Sequence, residues 1–117
     1  MTNKFRVYIA APYTNPDPCI NTNKAMNMAN RLMDLKYYPY IPHLSHFQHT
    51  FFPRPEKDWY KLDKEFLKVC DVVLRLKGKS KGADEEVKLA KQLGIPVVTT
   101  IEELKKIKKG GTNENKT

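Results

Sequence analysis

The sequence predicts an α/β protein, an open parallel sheet of about four to five strands with helices on both faces. Two observations carry that expectation. Residues 5–10 and 71–76 are β-rich runs, and the second has no polar alternation, as strands buried on both faces require. Between and after them lie stretches whose apolar residues recur at a 3.6-residue period. The order is β-α-β-loop-α-β-α-β-α, which right-handed crossovers close into a flavodoxin- or Rossmann-like sheet.

Length and composition fit that picture. A chain of 117 residues is one domain with room for a sizeable core. Hydrophobic content of 40% and charged content of 29% are those of an ordinary soluble protein. No apolar run approaches a membrane span, and the first five residues do not read as a signal peptide. Cys19 and Cys70 lack metal or redox spacing, so a reducing cytoplasm is expected. The net charge of +8 favours anionic partners. Many lysines, however, sit on helix faces or in Lys105-Lys106-Ile107-Lys108-Lys109, without interleaved aromatics. That pattern argues against nucleic acid and leaves small phosphorylated ligands.

Residues 5–10 form the first, central strand. Ala11-Pro12-Tyr13-Thr14-Asn15-Pro16-Asp17-Pro18 follows as a loop at its carboxyl end, where α/β folds bind ligands. Ala25, Met28, Ala29, Leu32, Met33 and Leu35 give a helical stripe over 20–35, with the methionines read as core. Residues 37–42 are a second strand, placed at an edge by Pro39.

The segment 43–55 carries His43, His46 and His49 among Phe47, Phe51 and Phe52. It reads as a long aromatic loop folding over a pocket. On a helix the three-residue spacing would spread the imidazoles over about 120°, too wide for one tight metal site. A helix over 57–70 follows, with Trp59, Leu62, Phe66, Leu67, Val69 and Cys70 as its apolar arc. A helix starting near Ser80 presents Ala83, Val87, Leu89, Ala90 and Leu93, stops at Gly94, and leads into a strand over 95–98. Ile101 to Ile107 make a last helix capped by Thr99 or Thr100, and the polar tail 110–117 is expected to be disordered.

Two carboxylates break these patterns. Glu86 projects between Ala90 and Leu93, and Asp63 between Cys70 and Leu67, each inside an apolar arc. Burying an unpaired charge costs several kcal/mol in order of magnitude, so each must be paired, solvated by a cleft, or used. Two structural carboxylates are one reading. The other is a reactive pair in one crevice, with pKa values driven apart by burial, which suits glycosidic chemistry. Ser80's hydroxyl and the backbone N–H groups at a helix start offer an anion cradle beside them.

The combination Tyr8-Ile9-Ala10-Ala11-Pro12-Tyr13, Asp63 ahead of Asp71-Val72-Val73, Ser80-x-Gly82-x-x-x-Glu86 and Gly94-Ile95-Pro96-Val97 resembles the nucleoside 2-deoxyribosyltransferase superfamily. That superfamily includes the 2'-deoxynucleoside 5'-phosphate N-hydrolases. Pro42-His43-Leu44-Ser45-His46-Phe47 and Ser80-Lys81-Gly82-Ala83 resemble its small phage-type and bacterial members. The resemblance spans about 5–98 and implies a single domain of that kind over 1–109.

It implies Glu86 as nucleophile at C1' and Asp63 as the group that orients the sugar or protonates the departing base. Ser80 and Gly82 match the 5'-phosphate cradle, and Pro12 and Tyr13 lie by the sugar or base. His43 and His46 join them as substrate-binding candidates. Ala11 stands where relatives often carry glycine. The implied ligand is a nucleoside or nucleotide, without metal or organic cofactor, in a homo-oligomer. The rivals are a nucleotide-sequestering module of the same fold and a basic nucleic-acid-binding protein.

Overall fold

A computed structural model describes residues 5–107, so the expectations for Lys108, Lys109 and the tail 110–117 lie outside the described residues. Four strands form one sheet: β1 (Arg6–Ala10), β2 (Tyr38–Tyr40), β3 (Val72–Arg75) and β4 (Val97–Val98). Their order is β2-β1-β3-β4, and every pairing is parallel. Strand β1 is internal and β2, with Pro39, is an edge, as the sequence predicts.

Side chains alternate across the sheet. Val7 and Ile9 of β1, with Val72 and Leu74 of β3, meet Ala25, Ala29 and Leu32 of α1 (Pro18–Asp34) and Leu104 of α5 (Ile101–Lys105). Tyr8 and Ala10 face the other way. They pack with Val73 against Leu67 of α3 (Glu56–Leu67) and Ala83 and Ala90 of α4 (Lys81–Gln92). The sheet is therefore covered on both faces. No described helix is long and apolar enough to cross a membrane.

The helix ends obey local chemistry. Asp17 caps α1 by accepting from the Cys19 and Ile20 N–H groups, with Pro18 in the first helical turn. Ser80 caps α4 by accepting from Ala83 N–H at 3.1 Å. Of the two threonines expected to cap α5, Thr100 does so, accepting from Glu103 N–H.

Four expectations need correction. The segment 43–55 is not a long loop. It holds a 3-10 turn (Pro42–Leu44) and a helix, α2 (Ser45–Phe51), with no buried residue in α2. Its apolar residues pack under nothing, so no amphipathic stripe announces it. Met33 is 61% exposed, because α1 packs through Ala25, Ala29 and Leu32, and Met33 lies one residue past that row. Leu93 is also exposed, at the helix end. Leu62, Phe66 and Val69 are 42, 45 and 58% exposed. Phe66 meets the sheet at its edge, stacking on Tyr40 of β2, and Val69 lies past the end of α3.

Candidate active site

Two loops meet at the carboxyl ends of the neighbouring strands β1 and β3, whose connecting helices leave on opposite faces. Gly78, at φ +122°, lies so close to Pro12 that a Cβ would sit 2.6 Å from its Cγ. No other residue fits there without moving the loop. The loop after β1 is held from below by Asn21, whose Nδ2 donates to the carbonyls of Tyr13 and Asn15, both at 2.9 Å.

Above this junction lies a cavity of about 700 Å³. All eight residues singled out from the sequence line it: Pro12, Tyr13, His43, His46, Asp63, Ser80, Gly82 and Glu86. Lys79, Lys81 and Arg54 also line it, as do Glu56 and Glu85, so the cavity carries charges of both signs.

Both carboxylates are held by tyrosines that the sequence reading passed over. Tyr8 Oη donates to Glu86 Oε2 at 2.5 Å, and Tyr40 Oη donates to Asp63 Oδ1 at 3.2 Å. The two tyrosines are partners in the parallel register of β1 and β2, and their rings stack with centroids 5.5 Å apart. Sheet register thus brings together two helices' acids. The visible signal was period two: Tyr8 shares its face with Ala10, toward α3 and α4.

Burial pushes Glu86 up to about 7; the Tyr8 hydrogen bond pulls it down, Asp63's charge raises it and Arg75 lowers it. Burial likewise pushes Asp63 up to about 6, against the Tyr40 hydrogen bond. Both tyrosines are driven well above the ordinary phenol range, first by burial and then by these carboxylates, so they remain donors. Arg75, at the end of β3, is the second kind of residue the sequence reading passed over. It donates to the carbonyls of Leu76 and Gly78 and to Asp84 Oδ1, fastening the loop to the first turn of α4.

The opposite wall is aromatic. Tyr13 Oη and His46 Nδ1 are 2.6 Å apart, joining the loop after β1 to α2. His43 is 4% exposed and donates from Nε2 to the Pro12 carbonyl at 2.8 Å, while burial lowers its pKa. Gly82 faces Tyr60, whose Oη would lie 3.1 Å from a Cβ there. Ser80's oxygen is engaged as a cap, which leaves its hydroxyl hydrogen to donate. Among the described residues no three His, Cys, Asp or Glu side chains could share a metal ion.

Replacing Tyr8 with phenylalanine separates these influences. Losing the donor that favours ionised Glu86 should raise that pKa further, moving any Glu86-dependent limb of a pH–rate profile upward by about one unit. The buried carboxyl left without its partner should cost about 1–3 kcal/mol at alkaline pH. An unmoved limb would detach Tyr8 from the chemistry.

The fold and site define an α/β protein with a ligand cavity at the switch point of a parallel sheet, furnished with two buried carboxyl groups. Residues 5–100 match the family described as "Domain of unknown function (DUF7768)", and the chain belongs to it. No curated protein matches the chain. Among solved structures, the fold is similar to that of a 2-deoxyribosyltransferase from the psychrotolerant bacterium Bacillus psychrosaccharolyticus. The TM-score is 0.59 at 22% identity, over 79% of this chain and 69% of that one. That enzyme is described as a biocatalyst for the synthesis of antiviral and antitumoral nucleosides.

Proposed function

We propose that this protein cleaves the N-glycosidic bond of a 2'-deoxynucleoside, preferably as its 5'-monophosphate. The observation that carries this reading is the pair of buried carboxyls, each held by a tyrosine, on one cavity. Ionised Glu86 attacks C1'; the C1'–N bond breaks, and the base departs with the electron pair and takes a proton. Asp63 either steadies the sugar or supplies that proton. Water, or a second base, then attacks C1' and releases Glu86, giving hydrolysis or base exchange.

Ser80, Gly82 and the free N–H groups opening α4 hold the 5'-phosphate, with Lys79 and Lys81 beside them. Helix α2 acts as a lid, latched through His46 to Tyr13. A second copy covers the apolar face of Leu62, Phe66 and Val69, in a cytoplasmic homo-oligomer.

The test is incubation with each deoxynucleoside and deoxynucleoside 5'-monophosphate, with and without a free acceptor base, followed by chromatography of the bases. Base release confirms the reading. Tight binding without release would make this a sequestering protein.

The phosphate cradle makes a separate prediction. The monophosphate should bind more tightly than its nucleoside, and Ser80→Ala should narrow the gap by about 1.5–3 kcal/mol, one charge-assisted hydrogen bond. Titration calorimetry measures both. Losing the cap costs about 1 kcal/mol of stability in either state, so a matched loss for both ligands would point to the helix end instead. Equal wild-type affinities would remove phosphate from the substrate.

A further inference from the structure

The end of α2 and the start of α3 are joined at His49. Trp59 donates its Nε1–H to His49 Nδ1 at 2.9 Å, and the Arg54 backbone N–H donates to the same atom at 3.2 Å. Indole and amide N–H groups donate and cannot accept. His49 Nδ1 therefore carries a lone pair, and the neutral ring keeps its proton on Nε2. The ring is further held edge-on to Trp59, with centroids 5.8 Å apart and planes at 78°.

His49, Arg54 and Trp59 all line the cavity. His49 Nε2 has no protein partner among the described residues, so it is the polar atom this side chain has left for a ligand. The other imidazoles differ. His43 spends its Nε2–H on the Pro12 carbonyl. His46 faces the Tyr13 hydroxyl, which can donate or accept and enforces no tautomer.

We propose that His49 is a specificity-determining residue that donates its Nε2–H to an exocyclic oxygen of the substrate's base, so that the site takes oxo-bases over their amino counterparts. The inference rests on the glycosidic reading for its substrate. An amino group at that position would set donor against donor and leave both unpaired on binding. Sites built to hydrogen-bond one substrate group reject the analogue that cannot answer it.

The experiment compares deoxyinosine 5'-monophosphate with deoxyadenosine 5'-monophosphate by kcat/KM for base release. Comparing variants with wild type cancels the intrinsic lability of the two bonds. His49→Leu should lower the oxo-to-amino ratio at least about tenfold. His49→Gln, whose amide can accept from Trp59 and still donate, should restore most of it. Trp59→Phe keeps His49 and leaves the Arg54 N–H as the remaining donor to Nδ1, so it should lower the ratio less than His49→Leu does. An unchanged ratio in His49→Leu, or failure of glutamine to restore it, overturns the proposal.

If no substrate releases a base, the glycosidic reading fails on its own. Quenching of Trp59, the single tryptophan, by hypoxanthine against adenine then decides the selectivity directly. Stronger quenching by hypoxanthine that His49→Leu abolishes sustains the role of His49. Equal quenching ends it.

Discussion

Glu86→Gln should lower base release by roughly 10⁶-fold, the scale seen when a covalent nucleophile is removed. The amide keeps the shape and can still accept from Tyr8 through its carbonyl, so the cavity should stay intact. What it loses is the negative oxygen that bonds to C1'. The same variant should be more stable than wild type at alkaline pH. Glu86 titrates at about 7 folded, above the ordinary 4.5, so the folded state holds the proton more tightly.

Stability from a group raised in this way is complete below about pH 4.5 and is lost as pH rises through about 7. Glutamine has no such dependence, so the gain should be about 3 kcal/mol at pH 8 and below about 1 kcal/mol at pH 5. Thermal melts at the two pH values check the sign. Activity near wild type in this variant would remove Glu86 from the nucleophile's place.

Asp63→Asn should lower activity by roughly 10²–10³-fold, and the pattern across leaving groups separates its two roles. As proton donor, Asp63 matters least for bases that leave easily as anions, so the loss should shrink with the acidity of the departing base. As a sugar-positioning group it should cost all substrates alike. Burial raises both carboxyls above the ordinary carboxylate range, and Asp63's charge raises Glu86 further, so the two titrate as a coupled pair. Tyr40's hydrogen bond favours the charged form of Asp63, which suits positioning, so a uniform loss is the expected result, measured as kcat/KM over a series of deoxynucleoside monophosphates.

The acids were legible in the sequence because helical periodicity makes an intruding carboxylate conspicuous. Asp63 and Glu86 stood among apolar neighbours, and both do line the cavity. Their tyrosines were not legible. A tyrosine in a strand satisfies β propensity and burial without further explanation, and only the register of β1 against β2 makes Tyr8 and Tyr40 neighbours. Arg75 looked like the polar end of a strand. Its guanidinium acts on a loop whose path no local pattern encodes.

The misreadings have one physical root. Periodicity reports that a face is apolar and says nothing about what covers it. Leu62, Phe66 and Val69 were taken as core, yet they stay half exposed, with Phe66 stacked on Tyr40 of the edge strand. Helix α2 went unseen for the complementary reason: with nothing buried, it needs no stripe, and its aromatics and histidines read as a loop over a pocket.

The edge position of β2 gives the two acids unequal footing in time. Glu86 is tied to Tyr8 on an inner strand bonded on both sides, whereas Asp63 is tied to Tyr40 on a three-residue strand bonded on one. Edge strands open at a fraction of the global free energy. Amide hydrogens of β2 should therefore exchange with solvent sooner than those of β1. Each such opening unhooks Asp63 while Glu86 stays clamped. The site disassembles from one side, and a ligand that bridges both acids should slow exchange along β2 more than along β1.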